Sequence, residues 1–415
     1  MTPSRTDSRG FTLVELIISL GVSAIVIASA MAMMVGQQRA FRHGTDDRTL
    51  QELARVALGR MSADLRAVGY GVDPALAFDF GPVPEEKVRM KAGPDGTYFK
   101  AASFRCAAGP ACRDRTDGSD EIVFLSRDPL FAKPLRAPVN ADSDTLRIAG
   151  PLKAPLVAGQ ILQVVCYTGT MTWAYVSVAA EVPATDALTV DVPIVASSTY
   201  DFPTQNQSLA SACFQMHMTQ DPPYTLGDTA FESAARVFKI DRYRYFVRQY
   251  DGRPFLMLDR GGPDDAPVLE VIAPDVEDLQ FSYLFPNAAA DPLVGATVGT
   301  VLENGPAGIE LTPETGFPAY GDSLQEVGGP QRNHQAGNIR AVRISIVVRT
   351  PLQNLADPTT SDVIPAAGNR GQMTGAPGYR RLKVETTVVP PNMAARSPFY
   401  PMYGVVGTYL NVGGG

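Results

Sequence analysis

The chain has 415 residues, 45% of them hydrophobic and 19% charged, with a formal net charge of −7. This is an ordinary globular composition with length enough for more than one core. Arg and Lys are scattered rather than blocked, and no basic, aromatic-interleaved strip is evident that would track a phosphate backbone, so composition argues against a nucleic-acid partner.

Residues 9–20 read RGFTLVELIISL and open the longest apolar run of the chain. From Phe11 to Gln38 the only ionisable side chain is Glu15. A spanning helix needs about 20 mostly apolar residues, so the run is long enough to cross a bilayer. A carboxylate inside such a helix is costly and calls for a partner. A secretory signal has a shorter apolar stretch with its cleavage site behind it. Here the plausible processing site, Gly10, precedes the apolar run, behind the leader MTPSRTDSRG with its Arg5 and Arg9. Cutting there keeps the helix and exposes a new amine on Phe11. In a polymer of parallel helices that amine can lie at the depth of a neighbour's Glu15, so each subunit compensates the other's charge. Loss of Arg5, Arg9 and Asp7 removes a net +1 and takes the formal charge from −7 to −8. Basic residues ahead of the helix favour a cytoplasmic amino end, which puts everything after about residue 38 on the far side of the membrane.

The helical pattern continues beyond the membrane. Leu50, Leu53, Ala54, Ala57, Leu58, Met61, Leu65 and Val68 form an i, i+3, i+4, i+7 stripe, with Arg55, Arg60, Asp64 and Arg66 mostly off it. One face of 39–68 is therefore expected to pack on a domain. At about 1.5 Å per residue the whole helix would span roughly 85 Å. Gly36 and Gly44 are weak points within it. Gly69, Gly71, Asp73 and Pro74 stop it.

Four cysteines suit an oxidising periplasm, and Cys106, Cys112, Cys166 and Cys213 allow three pairings. The turn-prone AAGPA favours Cys106 with Cys112, leaving Cys166 with Cys213. Cys213 and His217 have helical i, i+4 spacing, but no second close pair accompanies them, so no metal is expected.

Short β-branched and aromatic runs follow: 121–127, 144–150, 160–169, 173–179 and 187–192, then 237–252, 254–260, 276–285, 339–350 and 379–389. The stretches 286–338 and 351–378, rich in Gly, Pro and Asn, read as surface loops. Runs of strands after one helix imply an α+β fold with antiparallel sheets. The expected organisation is a leader (1–10), a transmembrane or filament-core helix (11–38), its amphipathic continuation (39–68), a first β region (69–220) and a second β region with long loops (221–415).

Enzymatic and metal readings are weak. GDSL at 321–324 would make Ser323 a nucleophile, but the chain has only His43, His217 and His334, and Gln331 stands three before the last. Asn140, Asp142 and Asp144 start like a calcium loop, but Thr145 and Pro151 occupy the positions of the required Gly and Glu. Asp114, Asp117, Asp120 and Glu121 read more simply as a turn before a strand. No catalytic residue, cofactor or metal is expected.

RGFTLVELIISL resembles the prepilin leader junction of type IV pilins and type II secretion pseudopilins, with its basic residue, Gly, Phe and a Glu five residues into the mature chain. The resemblance implies that a prepilin peptidase cleaves after Gly10 and N-methylates Phe11, and that Glu15 serves subunit assembly. Further segments resemble the W-type minor pilins (PilW-like), relatives of the J-type minor pseudopilin: ADLRAVGYG, DGSDEIVF, AGQILQVVC, YRYFVR, VEDLQFSY, RAVRISIVVR and YRRLKVETTVVPPN, in that order between residues 63 and 392. The departure is PPN at 390–392, where an Arg-Asn ending is expected. The implied protein is non-enzymatic: a minor pilin that helps initiate or cap a type IV pilus, single-pass in the inner membrane with a periplasmic β region, then part of the surface filament. Its implied partners are the prepilin peptidase, the major and other minor pilins, the assembly platform and, before assembly, the membrane. A minor pseudopilin of type II secretion and a membrane-tethered periplasmic enzyme are the alternatives. Retention of Glu15 implies a subunit other than the outermost tip.

Overall fold

The computed structural model describes residues 12–72, 77–78, 113, 115, 118–137, 144–166, 172–195, 235–260, 269–285, 309–311, 339–368 and 370–394. One long helix, α1 (Leu13–Leu65), is followed by antiparallel sheets, an α+β fold. The chain divides into two compact units, 1–52 and 53–415. The helix is continuous through Gly36 and Gly44, the expected weak points.

Within the second unit, β1 (Ile122–Pro134), β2 (Thr145–Ala149), β3 (Ile161–Cys166), β4 (Thr172–Val178), β5 (Thr189–Val195), β6 (Ala235–Tyr250), β7 (Arg253–Arg260) and β8 (Leu269–Pro274) form the larger sheet. Its order is β2-β5-β4-β3-β6-β7-β8, with β1 paired to β6. The sheet thus draws strands from both sides of residue 220. Period-2 alternation points Leu146, Ile148, Leu162, Val164, Val190 and Val192 into one buried cluster. The chain enters the second sheet at Asp275. That sheet has the order β10-β9-β11-β14, from β9 (Val276–Phe285), β10 (Ile309–Leu311), β11 (Ala341–Arg349) and β14 (Arg381–Val388).

Asp275 is in the left-handed region at φ 58°, where most side chains are strained. Its carboxylate compensates by accepting from Arg253 Nε at 3.0 Å and Nη2 at 2.6 Å. The next two acidic residues are held in the same way. Glu277 accepts from Arg381 Nε and Nη2 at 2.5 and 2.9 Å, and buried Asp278 accepts from Arg370, itself 2% exposed. Removing one member of such a buried pair leaves an uncompensated charge.

Two expectations are corrected. Residues 351–378, read as a surface loop, contain a hairpin of β12 (Ser361–Ile364) and β13 (Met373–Tyr379). Its TGAPGY sequence carries no apolar alternation, and Arg381 holds it by donating to the carbonyls of Ser361 and Ala376. Arg–aromatic interleaving is also present. Arg244, Arg248, Arg253 and Arg260 stack on Phe246, Tyr250, Phe255 and Tyr243 along β6–β7. Glu121 and Asp275 engage Arg244 and Arg253, so much of that strip's charge is spent inside the protein.

The carboxyl end of α1 is fixed at several points. Ala54, Ala57, Met61 and Leu65 are buried at helical spacing, and Asp64 Oδ2 accepts from the Tyr245 hydroxyl of β6 at 2.5 Å and from Arg60 Nε at 3.2 Å. The helix ends at Leu65, and the turn that follows reaches Gly69 (φ 72°), whose N–H donates to the Leu125 carbonyl. A Cβ there would meet Met393 Sδ at 2.7 Å, so a larger residue would have to displace that side chain as well as adopt the left-handed backbone. Burial, and then the bond to Asp64, raise the pKa of the Tyr245 phenol well above the ordinary tyrosine range. The native state therefore keeps a proton that the unfolded chain releases above about pH 10, and stability falls as pH rises beyond that point. Tyr245→Phe should lower the unfolding free energy by about 1 to 3 kcal/mol, because Asp64 loses a buried donor. It should also flatten the loss of stability above about pH 10. Urea midpoints at unchanged m-value check both effects.

Candidate functional site

The site is the amino-terminal half of α1. Gly10 and Phe11 lie outside the described residues. Thr12 is the N-cap: its carbonyl accepts from Leu16 N–H at 3.2 Å, and its hydroxyl oxygen lies 3.3 Å from Glu15 N. Glu15 Oε2 in turn accepts from Thr12 N–H at 3.0 Å and from the Thr12 hydroxyl at 2.9 Å. Thr12-Leu13-Val14-Glu15 is thus a capping box, two helix-end donors meeting two side-chain acceptors. The T-x-x-E spacing was available in the sequence as a helix-start signal.

Beyond the cap the helix is apolar on every side. Leu13 is 76% exposed, Ile25 68%, Met33 68% and Phe41 78%, and intervening apolar residues are similarly uncovered. A core helix would bury one stripe of these; this half buries none of its 18-residue apolar window. The hydroxyls of Ser19 and Ser29 donate to the carbonyls of Glu15 and Ile25, four residues back. These two hydroxyls are satisfied within the helix itself, which suits a nonpolar surrounding. The segment is long and apolar enough to cross a membrane.

Residues 5–31 match the family model described as the prokaryotic N-terminal methylation motif. The chain carries a type IV prepilin-like signal. In this segment it is similar to type IV pilins and pseudopilins, and the motif implies processing by a prepilin peptidase and handling by pilus-type assembly machinery. With its apolar helix, the signal indicates membrane anchoring. No curated protein and no solved structure matches the chain.

The other sequence candidates are not brought to this site. Cys106, Cys112 and Cys213 lie outside the described residues, and Cys166 is described only in its backbone, paired with Thr172 and Ala235. Ser323, His217, His334, Asn140, Asp142, Asp114 and Asp117 also lie outside them, while His43 is on α1. Asp120 and Glu121 are committed elsewhere. Asp120 accepts from the N–H groups of Arg115 and Phe281, and Glu121 from Arg113 and Arg244. Among the described residues no group of three or more His, Cys, Asp or Glu is placed to hold a metal.

The PPN departure has a structural role that sequence reading missed. Pro391–Ala394 forms a short helix, α2, from which Asn392 Nδ2 donates to the Val68 carbonyl at 3.3 Å and Met393 is buried beside Gly69. An orphan carbonyl past the end of α1 is thereby met from 324 residues away in sequence.

Since the uncovered apolar surface is concentrated before Gln38, a chain beginning at residue 39 should be soluble without detergent. Secretion of residues 39–415 to the periplasm followed by ultracentrifugation checks this. Recovery of the fragment with membranes would mean that a second apolar surface anchors it.

Proposed function

We propose that this chain is a minor pilin, a non-catalytic structural subunit that helps initiate or cap a type IV pilus. The observation that carries the proposal is the methylation motif lying on a capped helix whose first half is apolar on every side, followed by an antiparallel β domain. A subunit that enters a filament must leave lipid for the company of other helices, and a surface apolar on all sides suits both surroundings. Heterologous contacts that do not close into a ring generate a helical polymer. In this reading the peptidase cuts after Gly10 and methylates Phe11, the amino end starts in the cytoplasm, and the β domain is periplasmic before assembly. Major and minor pilins and the assembly platform are the partners.

Glu15 is the assembly contact in this proposal. Glu15 Oε1 has no hydrogen-bond partner among the described residues and stays available to the Phe11 amine of a neighbour. The W-type order of segments from 63 to 392 supports a minor rather than a major subunit, and cross-linked partners recovered from sheared filaments test that choice. Recovery with secretion-system components instead would assign a pseudopilin.

Replacing Gly10 with a bulky residue, as in Gly10→Leu, should leave a membrane-bound precursor, and intact mass should show wild type beginning at N-methyl-Phe11. A mature wild-type species that keeps residues 1–10 would refute the assignment.

Glu15→Ala should leave cleavage and β-domain folding intact while incorporation into sheared filaments falls about tenfold or more, since a neighbour's amine loses its counter-charge. Glu15→Gln keeps the shape without the anion and should fall nearly as far. Equal incorporation of all three proteins would remove the carboxylate from the assembly interface.

A further inference from the structure

A cavity of about 450 Å³ lies within the second unit, beside the tip of the β6–β7 hairpin, and is of a size that holds small ligands or a short peptide. Its origin is a parting of strands. β1 pairs with β6 up to Ile122 opposite Tyr245. The chain before it then turns away, with Asp120 N–H donating to the Leu279 carbonyl of β9 instead. From Phe246 to Tyr250, β6 is therefore paired on its β7 side alone among the described residues.

The hairpin turn decides which groups are left open. Asp251 (φ 50°) and Gly252 (φ 74°) form a two-residue turn between Tyr250 and Arg253. Both positive φ values mark the tight hairpin type whose flanking residues exchange hydrogen bonds. Alternation from that pair turns the polar groups of Arg248 and Phe246 toward β7 and those of Val247 and Gln249 away from it. Val247 and Gln249 both line the cavity, and their N–H and C=O groups meet no partner among the described residues. Two donors and two acceptors at strand spacing thus face the space that β1 vacates.

The cavity also holds an incompletely matched cation. Arg349 is 6% exposed, with its guanidinium 4.2 Å from the Tyr379 ring centroid. Nη2 donates to the Gly252 carbonyl at 3.0 Å, Nη1 stands 3.8 Å from Glu277 Oε1, and Nε stands 4.0 Å from Asp275 Oδ1 without a hydrogen bond. Both neighbouring carboxylates are already held by two N–H groups each, from Arg381 and Arg253. What remains at Arg349 is positive charge in a poorly solvated place, and a carboxylate suits it. Phe246, Ile364 and Met373 add apolar wall.

We infer that this cavity binds an extended acidic peptide segment of a partner protein, which adds as a strand to the open edge of β6 at Val247 and Gln249 and presents a carboxylate to Arg349. Main-chain pairing supplies affinity, and the carboxylate and apolar wall supply selectivity. This goes beyond the reading of α1, because none of these residues belongs to the helix.

The test uses the full chain in detergent micelles and a fluorescent, end-capped pentapeptide of alternating valine and glutamate, with binding followed by anisotropy. Saturable binding is expected. Replacing glutamate by glutamine in the peptide should weaken it about tenfold or more, as should N-methylation of alternate peptide nitrogens. On the protein side, Val247→Pro removes an N–H that lies outside the ladder, so the fold should persist while the peptide is lost. Arg349→Met should abolish the preference for glutamate over glutamine, and if that variant fails to fold, the peptide pair still decides. Equal binding of the glutamate and glutamine peptides overturns the inference, as does unchanged binding by Val247→Pro. Displacement by free glutarate at the peptide's own affinity also overturns it, by assigning the cavity to small carboxylates.

Discussion

Water is the one surrounding in which residues 13–35 cannot remain. Leucine, isoleucine, valine and methionine side chains half to three-quarters exposed on every face of one helix form far more contiguous apolar surface than a soluble monomer leaves open. The helix meets the demands of a nonpolar phase from within: its backbone is internally bonded, and Ser19 and Ser29 bond back to it. Lipid tails and the helices of other subunits meet the apolar requirement about equally well. In the proposed function the carboxylate of Glu15 separates the two, because a hydrocarbon chain offers it nothing and a neighbour's amine would offer a counter-charge.

The β domain answers a different requirement, that of gripping the end of a long helix. Three segments distant in sequence, β1, β6 and α2, converge there. Tyr245 bonds Asp64, Leu125 receives the Gly69 N–H, Arg127 Nη2 donates to the Gly71 carbonyl, and Asn392 reaches the Val68 carbonyl. Each involves a group that would be orphaned or strained at a free helix end. Met61 and Leu65 add apolar burial of roughly 1.5 to 3 kcal/mol each, so the hold does not depend on polar contacts alone. The sheets carry their own constraint at the Asp275–Asp278 turn, where three carboxylates enter a poorly solvated junction and each is met by an arginine.

Legibility in the sequence followed the physics of each element. The apolar run, the stripe from Ala54 to Leu65 and the alternating strands at 144–150 and 160–166 were readable because their burial follows a fixed period. The β12–β13 hairpin was not, because TGAPGY is positioned by Arg381 rather than by alternation. β8 was missed for a related reason: Leu269, Glu270 and Val271 lie exposed at a sheet edge, so no buried face is imprinted on them. Arginine pairing across 22 to 104 residues likewise leaves no local signal. The same limit hid the role of Asn392, which depends on where the chain returns and not on its neighbours.

The capping box changes how Glu15 can act. Both donors from Thr12 fall on one oxygen, Oε2, and Oε1 is left without a hydrogen bond. Had the cap used both oxygens, an incoming amine would have to break one bond to gain another, and docking would be opposed by fraying of the helix start. In the proposed assembly role the two functions fall on separate oxygens, so the subunit would wait in the membrane with its helix end satisfied and its carboxylate partly stabilised by two donors. It can then accept a cation without surrendering either. A glutamate can do this at the third helical position because its side chain reaches back to the N-cap; an aspartate is one methylene shorter, and its cap would come at the expense of that reach.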